Sequence, residues 1–260
     1  MRKVFCLLLA ASMLMLSACG TVTPPNQQTP AEMEQTPADA TVTTAEPVPE
    51  VPAHSELYIP DVKTEDVIVW FQEVALDAEY VDSGDATRVQ KWGDEITYAL
   101  LGAPTDADRE VVFQMVNTLN SITGFPGMKE ITDTAAAELK IHFVAEPEML
   151  NLLGDNFYGC DGGVQFWYDS DNKIYDGTIC IRTDLDQYVR NSVIMEEIYN
   201  GLGPVQDTDL RSDSLIYSGY STPQGMTQVD MLIMKLLYNS KIRCGMSAAE
   251  CEKVIRELYY

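Results

Sequence analysis

Glu196-Glu197-Ile198-Tyr199-Asn200-Gly201-Leu202-Gly203-Pro204-Val205-Gln206-Asp207 reads as the end of a helix, a glycine-bearing turn, and a chain that returns carrying polar side chains. Upstream, Val189, Val193, Glu196 and Asn200 lie four, three and four residues apart. That spacing puts them on one helical face. The two valines mark the face as buried, so Glu196 and Asn200 are expected to point inward or into a cleft. Glu197 lies one step round, beside Val193 at i+4. Gly201-Leu202-Gly203 places glycine where helices commonly stop. A residue just beyond such a stop, Gln206 or Asp207, can fold back toward the helix.

This arrangement is similar to the zinc-binding segment of metzincin peptidases, H-E-x-x-H-x-x-G-x-x-H. The three histidine positions fall on Glu196, Asn200 and Gln206, the catalytic-glutamate position on Glu197, and the turn glycine on Gly203. Zinc prefers imidazole or thiolate ligands, completed at times by a carboxylate. One carboxylate and two amides form a poor set, so zinc is not expected and no cofactor is predicted. The donors are less poor for a hard ion such as calcium, though too few are carboxylates for tight binding. The sequence holds 2 histidines, His54 and His142. His142 lies mid-strand and is expected to be a sheet residue.

The downstream sequence adds to the likeness. Ser214-Leu215-Ile216 sits where metzincins place a Ser-x-Met turn beneath the metal, with Ile216 for the methionine. Met226-Thr227-Gln228-Val229-Asp230 then leads into an apolar helix ending Leu237-Tyr238. Together with Glu196-Glu197, Leu202-Gly203, Asp207 and Gly245-Met246, these residues resemble the domain of unknown function 2927. That family comprises exported bacterial proteins, many of them lipoproteins. Its usual Gln stands as Asn200 here, and its Asn-Asp as Gln206-Asp207. The match covers about residues 192–246. It implies a metzincin-like (zincin-like) fold: a single α+β domain with a mixed sheet, long helices and a helical C-terminal part. It implies no particular activity.

The N-terminus reads as an export signal. Arg2 and Lys3 precede an apolar run, Val4 to Leu16, too short to span a bilayer. The run ends in Leu16-Ser17-Ala18-Cys19. This resembles a bacterial lipoprotein signal peptide over residues 1–18, with Cys19 as the lipid site. Each buried methylene of such a lipid contributes about 0.8 kcal/mol to membrane attachment. The expected location is extracytoplasmic, anchored to a bacterial membrane through the lipid on Cys19. Residues 19–54 form a tether; residues 20–54 hold 7 of the 13 prolines, 5 acids and no Lys or Arg. Such composition does not build a core. The folded domain is expected over residues 55–260.

Four further cysteines, Cys160, Cys180, Cys244 and Cys251, suggest disulfides in an exported chain. The local pairing, Cys160 with Cys180 and Cys244 with Cys251, is favoured. A formal charge of −23 argues against nucleic acid as a partner.

Periodicity gives the remaining elements. Helices are expected from Thr64 to about Glu79, from Thr105 to before Gly124, from an Asp184 cap through the motif, from Thr227 through Tyr238, and after Ser247. Strands are expected at 96–101, 139–144 and, as a hairpin, at 164–168 and 174–182. Asp169 and Asp171 belong to the hairpin turn; position six of a calcium loop would be Ile174 and position twelve Cys180. Three functions are open. One is a non-catalytic protein that binds a peptide or envelope component. The second is a hydrolase with Glu197 as general base. The third is a structural role in which the motif is core packing.

Overall fold

The computed structural model describes residues 54–76, 88–219 and 221–260. The signal segment, Cys19, the tether up to residue 53, the end of the first helix at 77–79 and Tyr220 lie outside the described residues. Among those described, six α-helices and six strands follow one another in a mixed α/β order. Helix α1 is Thr64–Leu76, followed by strands β1 (Lys91–Trp92) and β2 (Ile96–Gly102). Then come α2 (Asp106–Asn120), β3 (Met128–Glu130), β4 (Leu139–Val144) and α3 (Glu146–Leu153). The hairpin strands β5 (Gly162–Tyr168) and β6 (Lys173–Arg182) precede α4 (Gln187–Asn200), α5 (Gln228–Leu237) and α6 (Ala248–Leu258).

The strands form one sheet in the order β1-β6-β4-β2-β3, with β5 paired to β6. All pairings are parallel except β5 with β6. The long strand β6 takes β5 along one edge, while β1 and β4 share the other. In β4, Leu139, Ile141 and Phe143 are fully buried, as the alternation of LKIHFV requires. His142 stands among them as a sheet residue, opposite Cys180.

The helix starts obey local chemistry. Thr105 with Asp108, Thr227 with Asp230, and Ser247 with Glu250 each form a capping box. The start of α4 differs from expectation. Asp186 caps it, accepting from Tyr188 N at 2.9 Å. Asp184 lies two residues before that cap, and its carboxylate accepts from Arg182 instead, at 3.0 and 2.7 Å.

Helix α4 is fixed to α2 by a buried ion pair. Arg190 Nε donates to Asp108 Oδ1 at 2.8 Å, and Gln187 Nε2 donates to the same oxygen at 2.8 Å. Asp108 is fully buried and Arg190 nearly so. Burial alone would raise the Asp108 carboxyl, but hydrogen bonds from Gln187, Thr105 and Arg190 outweigh it and hold the pKa below the usual range. Arg190 also donates to Thr183 O at 2.8 Å and to Gln187 Oε1 at 2.6 Å, which satisfies its fork.

The expected disulfides are not formed: the structure holds no disulfide among the described residues. Cys160 and Cys180 instead join Val144, Met149, Leu153 and Phe157 in a small satellite core. Cys244 Sγ faces Lys91 O at 3.6 Å, and Cys251 is buried on α6. Burial pushes the Cys180 thiol up to about 12 and the Cys251 thiol up to about 11. Thiols in such places behave as small hydrophobes.

Two outcomes follow. Arg190→Ala strands the Asp108 carboxylate and lowers stability by about 3–5 kcal/mol, read by denaturant unfolding. Alkylation of the native protein labels Cys244 before Cys180 and Cys251, which react only after unfolding; mass spectrometry reads the order.

Candidate functional site

Helix α4 is buried on nearly all sides from Ser192 onward, so its polar residues enter the interior. Glu197 is 1% exposed and Asn200 fully buried, while Glu196 is half-buried. The sequence expectation placed Glu196 on the inward face and Glu197 beside it. The structure makes Glu197 the deeper acid. Its carboxylate lies over the start of β5, where a side chain on Gly162 would meet Glu197 Oε1 at 2.8 Å and Val193 Cγ1 at 2.6 Å. Gly162 is therefore the residue that makes room for the acid.

The turn beyond α4 is clamped from three directions. Trp92 Nε1 donates to Gly201 O at 2.9 Å, and Tyr238 Oη donates to Leu202 O at 2.7 Å. Val205 N donates to Val74 O at 2.9 Å. Gly201 keeps a helical φ of −63°; Gly203, at φ +125°, makes the left-handed step. A Cβ on Gly203 would lie 2.6 Å from Gln90 O. The clamp turns Asp207 back toward the helix, where its charge raises the pKa of both Glu196 and Glu197. Gln206 stays half-buried, its Oε1 without a hydrogen-bond partner.

The supporting shell centres on Asp230, which is 2% exposed. Its carboxylate accepts from Ser214 Oγ at 2.6 Å, Leu215 N at 3.2 Å and Thr227 N at 2.8 Å. Its carbonyl accepts from Tyr199 Oη at 3.0 Å. One residue thus joins the Ser214-Leu215-Ile216 turn, the start of α5 and the body of α4.

A cavity of about 40 Å³ adjoins Glu197, bounded by Asp161, Gly162, Ser192, Glu196 and Tyr217. Burial first, and then repulsion from neighbouring carboxylates, raises Glu196 and Glu197 well above the ordinary carboxyl range. Glu197 Oε2, Ser192 Oγ and both side-chain atoms of Asn200 are buried without a hydrogen-bond partner. The donor set does not fit zinc: His142 is in β4, and the oxygens at Glu196, Asn200 and Gln206 are not ligands zinc prefers. Among the described residues, no three His, Cys, Asp or Glu side chains stand together so as to hold a metal ion by themselves.

A family model described as a protein of unknown function, DUF2927, matches residues 64–257. The chain belongs to this family. The DUF2927 match begins at the first residue of α1 and ends inside α6, so it takes in the whole sheet. The sequence likeness began only at residue 192, because the upstream half carries its information in strand pairing and not in a motif. No match was found among curated proteins.

Raised carboxyls set the sign of a pH effect. An acid whose folded pKa lies above its unfolded value binds more protons when folded, so its contribution is complete at low pH. The loss begins near the unfolded value, about 4.3 for glutamate, and continues as pH rises through the folded value. The melting temperature is therefore expected to fall as pH rises above the unfolded value. Glu197→Gln flattens that fall, which thermal unfolding across the range reads. Gly203→Ala forces both a strained φ and a clash with Gln90 O, and costs about 2 kcal/mol by denaturant unfolding.

Proposed function

We propose that this is a lipoprotein of the cell envelope, anchored by a lipid on Cys19. In this reading its metzincin-like domain has lost zinc chemistry and serves to bind a peptide or envelope component. The observation that carries the non-catalytic part is the enclosure of Glu197. A carboxylate 1% exposed beside a cavity of about 40 Å³ cannot meet a scissile peptide bond. Pockets for organic ligands run to about 300–1,000 Å³. A recess of that size, about 690 Å³, lies where residues 55–57 meet the C-terminal helix, lined by Leu57, Lys235, Lys241, Glu257 and Tyr260 among others. Its mixed charges and exposed Tyr260 suit a polar, extended ligand better than an apolar one. The acidic chain, at −23, disfavours nucleic acid.

A second reading has one observation in its favour. Glu196 and Glu197 form a carboxyl pair with raised pKa values, and such pairs perform acid–base chemistry in hydrolases. Opening of the residues around Tyr217 would be needed for Glu197 to act as a general base. Peptide and glycan libraries incubated with the full-length protein in detergent separate the two readings. No cleavage is expected; cleavage lost in Glu197→Ala would transfer the assignment to a hydrolase. Metabolic labelling with a palmitate analogue tests the anchor: wild type is expected to incorporate it, and Cys19→Ser is not.

A further inference from the structure

Strand β2 runs past the end of its neighbour on one side. It pairs with β4 over Tyr98–Gly102, but with β3 only over Ile96–Tyr98. Its residues bond alternately to the two sides. Ile96 N donates to Gly127 O and Tyr98 O accepts from Ile131 N on the β3 side, whereas Thr97 O accepts from Glu138 N on the β4 side. Leu100 is next in turn on the β3 side, and β3 has ended before reaching it. Neither its N–H nor its C=O has a backbone partner among the described residues.

A cleft of about 280 Å³ lies against this open edge, between β2 and one face of α2. Tyr98 and Leu100 line it from β2, Glu130 from β3, and Arg109 and Phe113 from α2. Tyr98 is 4% exposed. Its hydroxyl has no hydrogen-bond partner among the described residues, yet it is not one of the unpartnered atoms sealed from solvent. It therefore opens on the cleft that the residue lines, beside Glu130, whose charge acts on it. Burial first, and then that charge, raises the Tyr98 pKa to about 12, so the group is a neutral phenol near pH 7. The unpaired backbone and the unpaired hydroxyl are separate vacancies on one cleft.

An open sheet edge is a template for another strand, and proteins commonly guard it with charge, proline or a covering loop. Here Phe113, 57% exposed, stands beside the edge, which is the opposite of a guard. The remaining charged walls are Asp106, Glu110 and Glu130 against Arg109. Three carboxylates to one guanidinium favour a cationic side chain.

We infer that this edge receives a short extended peptide segment of a partner protein, which adds a strand beside β2 in line with β3 and brings a lysine or arginine toward Tyr98 and Glu130. Backbone pairing at Leu100 supplies register, and the side-chain pocket supplies selectivity, as in other strand additions. Tyr98 Oη accepts from the cation while Phe113 packs on a neighbouring apolar side chain. The cleft falls just below the roughly 300–1,000 Å³ of pockets that enclose whole organic ligands, which suits a chain passing through. Residues 20–54 of the same polypeptide, with 5 acids and no Lys or Arg, have the wrong sign for this place. The cleft shares no lining residue with the recess of about 690 Å³, so its occupant is measured apart from the ligand of that recess.

Full-length protein in detergent is titrated with a fluorescent, end-blocked peptide of alternating valine and threonine around one central lysine. Two relatives carry glutamate at the centre, or prolines in place of the valines. The lysine peptide is expected to bind and to slow hydrogen exchange at Leu100, read by mass spectrometry over residues 96–102. The glutamate peptide is expected to bind about two- to fivefold more weakly, the worth of one exposed ion pair. Glu130→Gln weakens the lysine peptide by a similar factor, and Phe113→Ala weakens it as well. The proline peptide keeps the charge but cannot donate to a ladder, and is expected to leave Leu100 unprotected. Absent binding of the lysine peptide overturns the proposal, as does equal protection by the proline peptide. Slow exchange at Leu100 in the free protein overturns it by showing the edge already covered. Protection at residues 55–57 instead assigns the peptide to the other recess, and protection that rises with protein concentration alone assigns the edge to a second copy; either result removes the proposal.

Discussion

The carboxylate of Asp230 is the constraint on which the site depends. It accepts four hydrogen bonds, from Ser214 Oγ, Leu215 N, Thr227 N and Thr227 Oγ1. Thr227 and Ser214 lie on different segments, so one buried charge fixes a loop and a helix start together. Tyr199 completes the link by donating from α4 to the Asp230 carbonyl. Hydrogen bonds to a buried charge are stronger than neutral ones, at roughly 1.5–3 kcal/mol each. Loss of the carboxylate would release the turn that leads into Tyr217, which bounds the cavity. One wall of the cavity beside Glu197 thus follows a turn fixed by a residue that does not line it.

A second anchor acts at the other end of α4. Asp108 and Arg190 tie the helix start to α2, whereas Trp92 and Tyr238 hold the turn beyond its last residue. Between these fixed ends, α4 has no freedom to withdraw its acids from the interior. The cost of burying Glu196 and Glu197 is borne by the packing of the whole helix, with Ile194, Ile198 and Tyr199 on its remaining faces. Such placement of strained polar groups in a rigid frame is the pattern found where proteins bind ions or do chemistry.

The sequence disclosed those elements whose cause is local. Capping boxes at Thr105, Thr227 and Ser247 need only residues three apart, and each formed. The hairpin at Asp169–Lys173 is likewise local: Asp169 Oδ1 accepts from Asp171 N and Lys173 N. Strands β1 and β3 were missed, because two or three residues carry no periodicity and exist through partners at Lys173–Ile174 and Ile96–Tyr98. Helix α3 was missed because its Ala145 cap offers no side-chain acceptor. At the site, spacing offered Gln206 or Asp207 as the residue that can fold back toward the helix, and it is the charge of Asp207 that acts on Glu196 and Glu197. It did not foretell that Glu197 would go deeper than Glu196, because that depends on Gly162, a residue on another element. The cysteines misled for a related reason: an even count suggests pairing, but the packing around Cys180 and Cys251 treats sulfur as filler.

The first described residues meet the C-terminal residues. Ser55 N donates to Tyr260 O at 3.0 Å, and Tyr259 Oη bonds Ile59 and Val62. His54 stacks on Tyr58 at 3.8 Å. A pull on the polypeptide leading into residue 54 would thus be resisted first by this clasp on the C-terminal residues. The sheet and α4 would bear load only after the clasp had parted. The described fold therefore opens with a short clasp that a load entering at residue 54 would meet before the sheet.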